Sequence, residues 1–142
     1  MEGNFDRLME LLENFKEHME DKMASPLEEA GEIVRKNIVK GIRDQKWLMP
    51  PLAAKTGLRK AKLGHSPLIL IAKGDYFASF TTERIRWDEV HVGTNHPQGR
   101  ALEFGYAPRG LPARPHMTPA LEESMPEVME VIEEGYRKVF GV

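Results

Sequence analysis

The sequence predicts an α+β fold with long amino-terminal helices, a small antiparallel sheet and a carboxy-terminal helix packed on it. Two observations indicate this class. Apolar residues recur at three- and four-residue steps near both ends of the chain, and short β-branched and aromatic runs fill its middle. The length of 142 residues suits one domain. We divide it into a helical region, residues 1–44, and an α+β core, residues 47–142.

The helical region begins with an amphipathic helix, because the apolar residues from Phe5 to Met23 share one face. Ser25 and Pro26, followed by Glu28, have the features of a second start: a cap, a proline at the first helical position and a closing glutamate. The second helix should end near Gly41. The two helices are either kinked segments of one rod or an antiparallel hairpin, and the pattern fits both.

The first apolar face has a second interpretation. Its members Phe5, Leu8, Leu12, Phe15 and Met19 also have the spacing of a coiled-coil seam between subunits, over about two heptads. Methionines beside such a face would let it adapt to a partner. The pattern therefore allows self-association as well as packing within the domain.

The middle of the chain predicts a basic loop followed by a sheet. Residues 56–64 are short, basic and flanked by helix breakers, so we expect a loop with room for a helical turn. A short apolar run at 68–71 opens the sheet region. The run 76–82 is rich in aromatic and hydroxyl residues, which favours a strand over a helix.

The next segment predicts an antiparallel pair of strands. Ile85 and Trp87 alternate out of phase with Val90 and Val92. A continuous strand would need a bulge at this point, and a tight turn between two strands explains the switch as well.

A proline-rich strap, residues 102–119, follows a segment at 98–104 that fits one or two helical turns. Its four prolines fix φ and remove backbone donors, so we expect a rigid, extended segment that holds Arg114 firmly in place. A guanidinium held in this way is expected to pair with a carboxylate, either of its own chain or of a neighbouring subunit.

The last predicted element is a helix that begins at Thr118 and Pro119, a cap followed by proline, and runs almost to the end of the chain. Pro126 interrupts it. A kink or a new start at Ser124, closed by Glu127, is expected there.

Composition excludes several classes of protein. The chain has no cysteine, which excludes disulfides, thiolate metal sites and cysteine nucleophiles and fits a reducing compartment. A net charge of −2 argues against nucleic-acid binding by bulk electrostatics. We expect no membrane segment, since no apolar run approaches the ~20 residues that span a bilayer, and an acidic amino terminus does not resemble a signal peptide.

The sequence carries no catalytic or cofactor-binding motif, and we therefore predict neither enzymatic activity nor a cofactor. Its five histidines lack metal-ligand spacing, its serines lack a nucleophile elbow, and its glycines are too widely spaced for a phosphate loop. The alternative is a small metal-dependent hydrolase or nuclease that uses scattered residues such as Asp88, His91 and His96.

A basic cluster stands out against the acidic ends of the chain. It consists of Lys55, Arg59, Lys60 and Lys62. We interpret it first as a solvated face. Similarly, we expect the aromatic residues Phe77, Phe80 and Trp87 to belong to the core rather than to a base-stacking platform.

The order of several short motifs resembles that of the phage virion morphogenesis proteins. The matching segments are Thr56-Gly-Leu-Arg-Lys60, Gly64-His-Ser-Pro-Leu-Ile69, Gly74-Asp-Tyr-Phe-Ala-Ser79, Val90-His-Val-Gly-Thr-Asn95, Glu103-Phe-Gly105 and Leu111-Pro-Ala-Arg-Pro115. This family includes the Mu-type tail completion proteins and is similar to the HK97-type head–tail joining proteins. The resemblance covers residues 47–142. The chain departs from the family pattern at His116, where a large apolar or aromatic residue is common, and at Lys73, where the family has threonine.

The resemblance implies a structural protein of a tailed phage or prophage, made in the bacterial cytoplasm and placed in the virion at the neck or tail end. Such proteins are thought to form rings that dock on tail tube, terminator or head connector subunits. The motif and interface residues that it implies are Glu103, Phe104, Gly105, Pro112, Ala113, Arg114 and Pro115. In a ring, the basic residues Lys55, Arg59, Lys60 and Lys62 would line a channel for passing DNA.

Overall fold

The protein combines two long helices with one β-hairpin, which confirms the predicted α+β class; its computed structural model describes residues 2–142. In chain order the elements are α1 (Glu2–Arg43), α2 (Ala54–Lys62), α3 (Asp75–Ala78), β1 (Phe80–Arg86), β2 (Glu89–Thr94), α4 (Gly99–Phe104) and α5 (Met117–Phe140), with a 3₁₀ turn at Ala107–Arg109.

Helix α1 is one continuous rod of 42 residues, so the first of the two predicted arrangements is found and the expected second start at Ser25 is wrong. Pro26 lies inside the helix, where it removes a backbone hydrogen bond. Its ring packs against Gly135 of α5, at a point where an added Cβ would lie 2.6 Å from the proline Cγ. Pro26, which the local sequence predicts at the start of a helix, therefore lies within α1 and contributes to the packing between α1 and α5.

Helix α5 is also unbroken. It begins at Met117, so Thr118 lies within the first turn and is not the cap. The new start expected at Ser124 is absent, because this buried side chain donates to the carbonyl of Ala120 at 2.5 Å and accepts from Asn37 Nδ2 at 2.7 Å. A serine that matches a cap pattern here serves as a contact between α1 and α5.

Residues 54–78 differ most from the expectation. The predicted basic loop is helix α2 for most of its length, and the predicted strand at 76–82 begins within the short helix α3. The apolar run 68–71 is a turn, in which Leu70 takes a positive φ of 63°. Gln45 holds this turn, since its side-chain amide donates to the carbonyl of Ile69 at 3.0 Å and accepts from the same residue's N–H at 2.9 Å.

The sheet is the two-stranded antiparallel pair β1–β2. Phe80 pairs with Thr94, and Arg84 pairs with Val90. The register shifts between Arg84 and Arg86, which marks a bulge, and a tight turn follows at residues 87–88. The sequence predicted one or the other, and both are present. The bulge explains the change of phase in the alternating pattern.

The core lies along one side of α1. Buried apolar residues come from α1, the hairpin region and α5: Ala30, Val34, Ile38, Ile42, Tyr76, Phe80, Ala120 and Val128. Phe80 is buried and Phe77 packs against the core, both as expected, whereas Trp87 is half-buried and is not among the side chains packed against the core. Both the hairpin and α5 thus pack against helix α1.

None of the helices within residues 2–142 has the combination of length and apolar character needed to cross a bilayer.

Candidate functional site

Two of the predicted motif residues, Glu103 and Arg114, lie with Tyr76 and His116 in a buried polar cluster at the start of α5, which we call the Glu103 cluster. It consists of Tyr76, Glu103, Arg114 and His116. Their exposed fractions are 7%, 2%, 5% and 0%, so four polar groups are removed from water together. Burial on this scale requires that each group find hydrogen-bond partners within the chain.

Glu103 caps α5 from outside the helix. Its carboxylate accepts from the backbone N–H groups of His116, Met117 and Thr118 at 2.9, 3.0 and 2.9 Å, and from the Thr118 hydroxyl at 2.9 Å. These donors belong to the first turn of a helix, which has no intrahelical acceptors for them and carries a partial positive charge. A residue of α4 therefore supplies the cap that the sequence assigned to Thr118.

The same contacts keep Glu103 ionised. Burial raises the pKa of this carboxyl, but the hydrogen bonds from Met117, Thr118 and His116 favour the carboxylate, and the net effect is a pKa below the ordinary value. The cluster therefore contains a buried negative charge that the helix terminus stabilises.

His116 joins the cluster to the core. Its Nδ1 lies 2.6 Å from the carbonyl oxygen of Arg114 and 3.1 Å from Glu103 Oε2, and its Nε2 lies 2.5 Å from Tyr76 Oη. We assign the proton to Nδ1, which donates to the carbonyl, so that Nε2 accepts from the tyrosine. Burial lowers the pKa of His116 despite the opposing effects of the Arg114 carbonyl and Glu103. Burial also raises the pKa of Tyr76, with Glu103 contributing.

Within residues 2–142 Arg114 does not pair with a carboxylate, so the expectation of an ion pair within its own chain is wrong. Its Nε donates to the carbonyl of Pro50 at 3.1 Å and its Nη2 donates to that of Pro51 at 3.0 Å, while its backbone N–H donates to Leu102 at 2.9 Å. The double proline provides two adjacent carbonyls in a segment outside any helix or strand, where they need donors. Arg114 therefore ties the segment after α1 to the strap. Burial lowers the pKa of its guanidinium.

The strap folds back on itself near its start, which corrects the expectation of an extended segment throughout. Tyr106 and Leu111 form an isolated antiparallel bridge around the 3₁₀ turn. Gly105 has φ of 80°, and an added Cβ would lie 2.9 Å from both the Leu111 carbonyl oxygen and the Ala113 N. The close approach of these backbones requires glycine at this position.

The other predicted motif residues lie mainly at the surface. Phe104 is 71% exposed, Pro112 and Pro115 are exposed, and Ala113 is half-buried. The structure thus divides the motif into a buried half, which locks the strap to α5, and an exposed half, which is available for contacts with other molecules.

The basic cluster is divided in the same way. Lys55, Arg59 and Lys62 are exposed on one face of α2. Lys60 lies on the opposite face, is 9% exposed, and donates to the carbonyls of Leu68 and Ile71 at 2.6 and 2.7 Å. Its assignment to a solvated or channel-lining face is wrong, because its ammonium anchors α2 to the turn at 68–71. Burial lowers the pKa of Lys60.

The residues of the alternative metal site do not converge. His91 contacts Glu89 at 2.7 Å, Asp88 pairs with Arg86 at 3.2 Å, and the ring of His96 packs edge-on against Tyr76. Among the residues that the structure describes, no group of three or more histidine and carboxylate side chains is arranged to hold a metal ion.

Sequence reasoning named Tyr76 and His116 without giving them a role. His116 directly follows the Pro-Ala-Arg-Pro box and Tyr76 lies in the Gly-Asp-Tyr-Phe segment, so both are next to motif residues. These positions mark each residue singly as a candidate for the site. Their hydrogen bond spans 40 positions in the chain, and no local pattern predicts such a pair.

The Glu103 cluster has the properties of a structural lock. Its donors and acceptors bond to one another and to backbone groups, and its side chains have almost no exposed surface on which a substrate would react.

No family model, curated protein or solved structure matches the chain.

A further surface feature is the start of α1, residues 3–17, an exposed amphipathic helix that we call the arm. Every residue of the arm is exposed, including Phe5, Leu8, Leu11, Leu12 and Phe15 at 48–64%. Phe15 meets Phe140 at the end of α5, with ring centroids 5.9 Å apart. The helix before this contact extends beyond α5, by about 20 Å at 1.5 Å per residue.

Proposed function

We propose that this protein is a structural subunit of a tailed phage or prophage, acting in tail completion or head–tail joining. It assembles by self-association into a ring and docks on tail tube, terminator or head connector subunits. It acts in the virion neck or tail after assembly in the bacterial cytoplasm. It needs no cofactor for this role, and its contribution is the geometry of its contacts.

The observation that carries the proposal is the amount of exposed surface. The chain exposes 10240 Å², whereas a compact monomer of its mass exposes about 7,500 Å². The exposed apolar side chains include those of the arm and, along α5, Leu121, Met129 and Tyr136. Apolar faces of this extent mark surfaces that bury against other subunits.

Two further features support this role. The motif order resembles that of the virion morphogenesis proteins, and the buried half of the motif fixes the strap so that its exposed half is held in a defined position. Subunits that must fit around a closed axis need such rigid contact surfaces, because a small change of angle at each interface prevents closure.

The first test is the native mass of the purified protein, measured by light scattering across a concentration series. A discrete oligomer with a closed number of subunits is expected. A monomer at all concentrations would contradict self-association.

The second test is phage assembly. Loss of the gene from an inducible prophage should leave filled heads and separate tails, visible by electron microscopy, and expression of the intact gene should restore joined particles. Normal, infectious particles without the gene would overturn the assignment to tail completion or head–tail joining.

A further inference from the structure

We propose that the arm of one copy docks on the exposed face of α2 in the next copy, which gives a head-to-tail interface. This inference rests on the proposed self-association and names the surfaces that form it. Its occupant is a second copy of the chain.

The exposed face of α2 is both basic and apolar. Lys55, Leu58, Arg59 and Lys62 have the spacing i, i+3, i+4 and i+7, which places them on one side of the helix. Leu58 is 74% exposed. The surrounding chain strengthens this character, because residues 45–74 contain six lysines and arginines and no aspartate or glutamate.

The arm has the complementary character. Its apolar face is flanked by a stripe of four exposed carboxylates, Asp6, Glu10, Glu13 and Glu17. The first three have the spacing i, i+4 and i+7, and so do Lys55, Arg59 and Lys62 of α2. Each set of three spans about 10 Å of helix, so the two stripes match in length and spacing as well as in sign.

Neither stripe is neutralised within the subunit. In residues 2–142 the ion pairs involve other side chains, and none of the seven charged residues of the two stripes takes part in one. Charges that stay hydrated on both surfaces are available to steer and orient a complex between copies.

The fold prevents the two surfaces from meeting within one subunit. The arm is at the start of α1, and α2 follows the other end of this helix, where Arg43 lies 26 residues, or about 40 Å, beyond the last residue of the arm. A contact between different patches on two copies is heterologous, and it forms a closed ring if the rotation between copies allows.

Two other partners are less favourable. Pairing of two arms would bring their acidic stripes together, and like charges oppose such a contact. DNA would use the three basic side chains of α2 for phosphate contacts but would leave Leu58 and the neighbouring exposed Leu63 without an apolar partner.

The test uses charge reversal in the full-length chain, with native mass as the readout. One variant carries Glu10→Lys and Glu13→Lys, and a second carries Arg59→Glu and Lys62→Glu. Each alone should raise the concentration needed for half-maximal association by about tenfold or more. An equimolar mixture of the two variants should associate again, because each then supplies the surface that the other needs.

A matched control reverses two exposed carboxylates of α5 that form no ion pair within residues 2–142 and have the same spacing, Glu127→Lys and Glu130→Lys, and should leave the native mass unchanged. Circular dichroism checks that all variants keep their helix content. Association of the wild type that neither variant weakens would overturn the docking proposal while leaving the proposed function in place. A monomeric wild type would overturn both. Loss of duplex DNA binding in the α2 variant, with its native mass unchanged, would instead assign α2 to DNA.

Discussion

At the scale of single residues, the buried motif half acts as one unit in which each polar group satisfies another. Glu103 caps α5, His116 links this cap to Tyr76, and Arg114 binds the carbonyls after α1. Removing one member leaves a buried partner without a hydrogen bond, which costs about 1–3 kcal/mol. We therefore expect these positions to control folding stability.

Glu103→Gln should lower the free energy of unfolding by about 2 kcal/mol, because the neutral amide loses the charge that the helix terminus stabilises and has only one acceptor oxygen. Urea denaturation at pH 7 measures this loss. Glu130→Gln, on the exposed face of α5, should change stability by less than about 0.5 kcal/mol. Equal effects at the two positions would contradict the capping role.

Arg114→Lys should also destabilise the monomer, by about 1–3 kcal/mol, because one ammonium cannot reproduce the two guanidinium contacts to Pro50 and Pro51. Arg109→Lys is the matched control, since that residue is exposed on the same strap. Thermal unfolding and native mass are measured together. A change in native mass without a change in thermal stability would show that Arg114 acts between subunits.

Stability should fall as the pH falls below about 6.5, because His116 has a lowered pKa in the fold and the unfolded chain then binds more protons. A second loss should follow below about 4.5, since Glu103 has a lowered pKa in the fold and must be protonated on unfolding. Urea denaturation from pH 8 to pH 4 measures both. His116→Gln should flatten the dependence between pH 5 and pH 7, and an unchanged slope there would be inconsistent with a neutral buried histidine.

At the scale of elements, contact between α1 and α5 decides which proline and serine residues start a helix. Pro26 lies inside α1 and Pro126 lies inside α5. Ser124 of α5 accepts a hydrogen bond from Asn37 of α1, so it joins the two helices and does not cap either of them. Packing along two long helices contributes enough to offset the cost of about 3 kcal/mol for a proline inside a helix.

Gly135→Ala tests this contact, because the new methyl group would lie 2.6 Å from the ring of Pro26 and one helix would have to move. We expect lower stability even though alanine favours helix. Gly57→Ala in α2 is the control: it has nothing within 4 Å, so the gain in helix propensity should raise stability by up to about 1 kcal/mol. Denaturation measures the free energy of unfolding of both variants. An increase for both would show that α1 and α5 can move apart without loss of stability.

At the scale of the whole molecule, the protein has opposed charges at its two ends and apolar surface along its length. If the arm docks on α2 of the next copy, raising the salt concentration from about 50 to about 500 mM should weaken association, since exposed charges are screened beyond a few ångströms at high salt. Light scattering at both concentrations measures this. Stronger association at high salt would indicate an interface that depends on apolar contacts alone.

The sequence by itself determined the α+β class, the amphipathic faces of α1 and α5, and the antiparallel hairpin with its change of phase. These features depend on periodicity and on backbone preferences, which act between neighbours in the chain. Only the tertiary structure decided that Pro26 lies inside a helix, that Glu103 caps a helix 14 residues away at Met117, that Arg114 binds carbonyls and that Lys60 is buried. Each of these depends on contacts between residues distant in sequence, where burial makes an unpartnered polar group costly and so outweighs the local preference.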